Sequence, residues 1–302
     1  MKIGSKASEE NYEKVANEVA LVTIIGNVVL SAGKLFAGII AHSNAMISDA
    51  IHSASDVFST IVVMIGIKFA SKEPDKEHPY GHERLECVTA ILLAMILFIT
   101  GLGIGVDALK HIFSADYNVQ NTPGVLALIA AIVSIVSKEA MYWYTRYYAK
   151  RIRSDALMAD AWHHRSDALS SVGALIGISG ARLGFAVMGS IARLVIFIFV
   201  AKAAFDIFKD AMNKMIDHSC DEETEHRIYD CVMGNENVMG IDMLKTRIFG
   251  NKIYVNVVIQ VNASYTLKEA HLIAETVHNN IEQSFSEVKH IVVQVNPATQ
   301  AE

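Results

Sequence analysis

The chain has 302 residues, 52% of them hydrophobic and only 19% charged, against roughly 25% charged in an average soluble domain. Its formal net charge of −6 excludes the basic surface that nucleic-acid binding needs, so no nucleic-acid partner is expected. Cys87, Cys220 and Cys231 form no C-x-x-C pair and no disulfide framework, which fits reduced thiols in a cytosol-facing domain.

In chain order, residues 1–15 are polar and mixed in charge. They show no short basic-apolar leader with a cleavage site, so a cytosolic N-terminal segment is expected rather than a signal peptide. Six apolar segments follow, near residues 19–41, 45–70, 88–109, 125–144, 159–183 and 185–208. Each is close to the roughly 20 residues that a helix needs to cross a bilayer. Residues 16–212 are therefore expected to form a domain of six transmembrane helices.

Loop cations set the orientation. Lys68, Lys72, Lys76 and Arg84 lie between spans two and three; Arg146, Lys150, Arg151 and Arg153 lie between spans four and five. The remaining connections hold few, Lys110 and Arg182 among them. The positive-inside rule then puts both chain ends in the cytoplasm of a multi-pass cell-membrane (inner or plasma membrane) protein. Tyr142, Trp143, Tyr144, Tyr147 and Tyr148 cluster at the inner end of span four, as an interfacial aromatic belt does. Lys34, Arg182 and Lys202 read as side chains that reach a membrane surface. Arg193 is expected to pack against another polar helix.

From residue 213 the character changes. Residues 221–234 read as a polar helix, 241–249 and 253–261 as strands joined by a Gly250-Asn251 turn, 267–285 as a helix, and 288–295 as a third strand ended by Pro297. The order αββαβ predicts a small cytosolic α+β, ferredoxin-like domain over 213–302.

The octapeptide Asp-Ala-x-His-x-x-Ser-Asp occurs twice, from Asp49 to Asp56 and from Asp160 to Asp167. On a helix, His and Asp four positions apart share one face. Each copy thus offers one imidazole and one carboxylate: His52 with Asp56, and His163 with Asp167. Two such helices packed together present four nitrogen and oxygen donors to one point, the donor set of a divalent transition-metal site. Charged groups in hydrocarbon persist only with a partner, which favours ligation over chance. Asp49 and Asp160 lie one turn earlier and are auxiliary candidates. His164 points to another face and is expected to pack or meet water. In the loop after span two, Asp75, His78 and His82 form a second candidate cluster, with a solvated polar loop as the plain alternative. No His-Glu-x-x-His and no Walker A sequence occurs, so neither a zinc protease nor a nucleotide hydrolase is indicated, and no enzyme activity is expected.

With these motifs in place the chain resembles the cation diffusion facilitators over nearly its whole length: six spans, His-x-x-x-Asp in spans two and five, the His78-Pro-Tyr-Gly-His82 loop and an αββαβ tail. The resemblance implies a homodimeric antiporter that expels divalent transition metal from the cytoplasm in exchange for protons. Its transport site falls on His52, Asp56, His163 and Asp167, its loop metal site on Asp75, His78 and His82, and a dimer-holding charge pair on Arg84 and Asp217. The tail departs from the pattern. His271 and Asp242 remain as ligand candidates, while Val258, Gln294 and Asn296 stand at the other positions, so a full two-metal site is not expected there. Span six carries Gly189 where an acidic residue often stands.

Two imidazoles and two carboxylates suit Zn²⁺, as cargo and as a structural ion, with Cd²⁺, Co²⁺ and Fe²⁺ also compatible. The two histidines argue against Mn²⁺ and Mg²⁺. Imidazole titrates near neutral pH, so protons compete with metal, and two bare carboxylates in an empty site disfavour an unloaded return. The rival readings are a membrane-anchored metal sensor, an exporter whose main cargo is Fe²⁺, Cd²⁺ or Mn²⁺, and a passive channel.

Overall fold

A computed structural model describes the backbone of residues 3–40, 44–114, 125–182 and 187–298. Side chains are described for 12–40, 47, 50–51, 53–113, 129–173, 175–176 and 187–298. The chain divides into two compact units, Met1–Met212 and Asn213–Glu302.

The first unit is built from long helices: α1 (Ile3–Ile40), α2 (Asn44–Ala70), α3 (Arg84–Ser114), α4 (Val125–Ile152), α5 (Asp155–Arg182) and α6 (Met188–Met215), the last running past the boundary. α1 begins well before the first apolar segment, so the polar N-terminal residues extend the helix. Large apolar side chains such as Phe36, Phe58, Ile99, Ile198 and Phe199 face outward, while Asp56, Lys138, Asp160 and His164 are buried. This inverts the pattern of a soluble protein and is what a hydrocarbon solvent selects. Among the described residues, Tyr12–Ile40, Ser53–Ala70 and Arg84–Phe113 are long and apolar enough to cross a membrane. α4, α5 and α6 are as long, but each has ionisable residues within its apolar stretch: Lys138 and Glu139, Asp160 to Asp167, Arg193 and Lys202. Those groups lower the hydropathy of the three helices; Lys138, Asp160, His163 and His164 are buried, whereas Lys202 is exposed.

Two polar side chains sit differently from the sequence expectation. Lys34 is 5% exposed and donates to Ser53 Oγ on α2 at 2.8 Å, so it turns into the bundle instead of reaching the surface. Arg193 on α6 pairs with Asp107 on α3 at 2.6 Å and donates to the Gly189 carbonyl at 3.3 Å. An acidic residue near the C-terminal end of α3 thus answers the arginine.

α3 and α6 approach closely at two glycines one turn apart. A Cβ on Gly101 would lie 3.0 Å from Val200, and one on Gly105 2.7 Å from the Phe197 ring. Small residues at four-residue spacing let helices meet where no hydrophobic effect drives them together. α4 and α6 end alike. Arg153 (φ 56°) and Asp217 (φ 63°) adopt left-handed backbone, and the amides of Ser154 and His218 reach back to Ala149 and Asn213 at 2.9 and 3.1 Å. Both are Schellman closures without glycine.

The second unit is α7 (Glu222–Met233), β1 (Gly240–Phe249), β2 (Lys252–Val261), α8 (Leu267–Ser284) and β3 (Val288–Pro297), the αββαβ order read from the sequence. The sheet order is β1-β2-β3, with β1 antiparallel and β3 parallel to the central β2. Gly250 (φ 62°) takes the first central position of the hairpin, where a type II′ turn needs glycine. Asp221 caps α7 through the Thr224 amide at 2.9 Å, and Thr266 with Glu269 forms a capping box on α8. Alternate residues of β2, Val255, Val257 and Ile259, pack with Ile228, Val232, Val277 and Ile281 from the helices into one core. Cys87, Cys220 and Cys231 form no disulfide, and burial pushes the Cys220 thiol up from its ordinary value.

Two of the three glycines of α3, Gly105 and Gly103, separate packing from propensity. Gly105→Ala is expected to lower the midpoint of thermal unfolding in detergent, at a loss of about 1–3 kcal/mol. Gly103→Ala, where nothing lies within 4 Å of the added carbon, leaves that midpoint unchanged or raises it.

Candidate metal centre

Asp160, His163, His164 and Asp167 fall at helical spacings along one side of α5, and Asp56 faces them from α2. The donor atoms of Asp56, His163 and Asp167 all lie within 4.8 Å of one another. His163 Nε2 stands 3.5 Å from Asp56 Oδ1. All three side chains are largely enclosed, at 3%, 11% and 10% exposure. The side chain of His52, the remaining member of the four, and that of Asp49 lie outside the described residues. His52 is one helical turn before Asp56 on the same helix.

The sequence reading passed over the fourth charged group at this point, Lys138 on α4. Its Nζ lies 2.5 Å from Asp56 Oδ2 and 3.0 Å from Asp167 Oδ2, and the side chain is 2% exposed. One ammonium therefore sits between two carboxylates drawn from two helices. Lys138 stood in a span already counted as apolar, and a lysine that deep was itself a signal. An aromatic and cationic seam holds α4 against α5 beside it. Arg165 lies over the Tyr142 ring at 4.4 Å and 3.9 Å from Glu139, whose carboxylate accepts from Trp143 Nε1 at 3.0 Å.

Asp160 and His164 form a neighbouring pair. Both are fully buried, His164 Nε2 faces Asp160 Oδ2 at 3.5 Å, and Thr60 Oγ1 donates to Asp160 Oδ1 at 3.2 Å. His164 therefore meets a carboxylate one turn back along its own helix. The pair links α5 to α2 beside the three-residue cluster.

In the loop between α2 and α3, the donor atoms of Asp75, His78 and His82 also lie within 4.8 Å of one another. Asp75 organises the turn: Oδ1 accepts from the Glu77 and His78 amides at 3.0 and 2.8 Å. Lys72 Nζ sits 2.8 Å from Asp75 Oδ2, and His82 Nε2 3.5 Å from it. His82 Nδ1 lies 3.2 Å from the Lys72 carbonyl, which orients the ring with Nε2 toward Asp75. The Lys72 ammonium and the His78 amide hold the Asp75 carboxyl well below the usual carboxylate range, so it is ionised throughout the neutral range.

In the second unit, Asp242 is engaged by amides. Gln260 Nε2 donates to Asp242 Oδ1, and Asn296 Nδ2 donates to Oδ2 at 2.8 Å. His271 lies on α8, and among the described residues it joins no cluster of metal-ligating side chains. Asp217 Oδ2 is 3.6 Å from Arg247 Nη1 within the same unit.

The family model described as the cation efflux transmembrane domain matches residues 20–216. The one described as the cation efflux protein cytoplasmic domain matches residues 220–298. The chain belongs to the cation diffusion facilitator family. Among curated relatives, this facilitator is 35% identical to the uncharacterized transporter MJ0449 of Methanocaldococcus jannaschii over 91% of its own length and 96% of the relative's. It is 30% identical to the manganese efflux system protein MneP of Bacillus subtilis, over 94% and 97%. It is also 30% identical to the magnetosome protein MamB of a Magnetospira species, over 94% and 96%. As a family member it is a multi-pass membrane protein that moves metal cations out, and its second unit is the family's cytoplasmic domain.

The buried Asp160–His164 pair of this facilitator is open to a double-mutant cycle. His164→Ala leaves Asp160 buried with Thr60 on one side only, and is expected to cost about 3 kcal/mol of stability, read as a lower unfolding midpoint in detergent. Adding Asp160→Asn to His164→Ala recovers part of the loss, which a simple cavity would not allow.

Proposed function

We propose that the protein exports a divalent transition-metal cation from the cytoplasm by proton antiport and alternating access, working as a homodimer with both chain ends cytoplasmic. The observation that carries this reading is the convergence of Asp56, His163 and Asp167 from two helices on one enclosed point. His52, one turn from Asp56, supplies the fourth donor. Two carboxylates balance the charge of a divalent ion, and imidazole nitrogen makes the set suit Zn²⁺. Protons compete for the same imidazoles near neutral pH, so a more acidic outer side releases the metal there.

A second cargo has its own support. Two relatives, 30% and 32% identical, carry the name manganese efflux system protein. The carboxylate-rich half of the site suits Mn²⁺ as well as Zn²⁺. Direct competition between Zn²⁺, Mn²⁺, Fe²⁺ and Cd²⁺ in proteoliposomes ranks them. Transport itself separates this reading from a metal sensor, which binds without flux.

On the same reading Asp75, His78 and His82 form a peripheral metal site, and Arg84 with Asp217 holds the dimer near the membrane. Asp49 and Asp160 serve as auxiliary groups beside the transport site. The amide partners of Asp242 support a tail in which that carboxylate organises the sheet surface, with His271 contributing little to transport.

Asp56→Ala and Asp167→Ala are each expected to abolish metal-driven proton movement in proteoliposomes while size-exclusion profiles stay those of the parent. Normal flux in both variants would refute the site. His82→Ala is expected to remove one weaker binding event from a metal titration in detergent and to leave transport within about threefold. His271→Ala leaves transport nearly intact.

A further inference from the structure

The position of Lys138 assigns it a part in the transport cycle that the four candidate ligands do not cover. Its ammonium donates to one oxygen of Asp56 and one oxygen of Asp167, and Asp56 turns its other oxygen toward His163. The nitrogen therefore stands where a cation bound by both carboxylates would stand. Lysine, carboxylates and imidazole are packed in the bundle with almost no exposed surface. A divalent ion held between Asp56 and Asp167 would stand beside the ammonium in the same enclosed place, with the like charges unscreened. Metal and ammonium therefore compete for the two carboxylates, by like charge in a low dielectric.

We infer that Lys138 is a tethered counter-cation: it fills the transport site of the metal-free protein, and the cargo binds by displacing it. The inference rests on the transport-site reading above. Two carboxylates held together in a low-dielectric bundle repel each other, and an empty site would be hard to carry through a conformational change. An ammonium on a flexible four-carbon stem supplies the missing charge without leaving the protein. It comes from α4, a helix that contributes none of the four candidate ligands, so it can withdraw while α2 and α5 keep the ligands in place. Loaded, the site is neutralised by the metal; unloaded, by Lys138. The metal-free protein thereby keeps its two carboxylates matched during the return half of the antiport cycle.

The test uses the full-length protein in proteoliposomes and compares two modes of radiolabelled Zn²⁺ or Mn²⁺ movement. Exchange, with the same metal on both sides, needs only the loaded site to reorient. Net transport needs the unloaded return as well. Lys138→Gln is expected to keep exchange within about twofold while net transport falls about tenfold, and to bind metal about tenfold tighter in detergent because the competing charge is gone. Lys138→Arg, which keeps the charge on a different fork, is expected to lie between wild type and Lys138→Gln in both modes. Should Lys138→Gln not give a monodisperse protein, Lys138→Met, close in length and volume, is read in the same way. Equal loss of exchange and net transport, or unchanged or weaker metal binding, would overturn the inference and leave Lys138 a packing residue. Failure of the underlying site reading looks different: Asp56→Asn would then bind and exchange metal as the wild type does.

Discussion

Two carboxylates, Asp56 and Asp167, are buried side by side in a bundle whose outer face is apolar, and the arrangement holds only with positive charge between them. In water such a pair would be unremarkable; inside the bundle each charge loses most of its hydration. The surrounding structure answers that demand. α2 and α5 supply the acids and an imidazole, α4 supplies the ammonium, and the Arg165–Tyr142–Glu139 seam fixes α4 where the ammonium reaches. The fold is thus organised around a charge that must be matched, whichever cation does the matching.

The loop cluster repeats the logic under gentler conditions. Lys72 is half exposed and sits on Asp75 much as Lys138 sits on Asp56 and Asp167. Water shares the load there, so the pair adds little to stability although the lysine helps keep its acid ionised. The same pairing of residue types therefore has different weight in the two places, and burial makes the difference.

Much of this was legible in the sequence because it is local. The repeated His-x-x-x-Asp placed donors on one face of each of two helices by spacing alone, and the Gly250-Asn251 turn between β-branched runs fixed the hairpin. The αββαβ order of the second unit was readable for the same reason. What escaped was what tertiary packing decides. Lys138 meets partners 82 and 29 positions away, and Arg193 meets an acid 86 positions away, with no periodicity to announce either pairing. Lys34 could be given a path to the surface from its place in the helix; its hydrogen bond to Ser53 on α2 goes with an inward turn. Asp242 accepts from Gln260 on β2 and from Asn296 on β3, partners 18 and 54 positions away that no local pattern announces. The side chain of His52 lies outside the described residues, so its place rests on helical spacing.

The seam between α3 and α6 has a mechanical consequence. Where Gly101 and Gly105 admit Val200 and Phe197, side chains of α6 seat directly against the backbone of α3, and the Arg193–Asp107 pair joins the same two helices further along. Shear along that line would have to lift a ring and a branched side chain out of notches cut to fit them. The two helices are consequently keyed to each other at that line, and a slide of one along the other meets Val200 and Phe197 first.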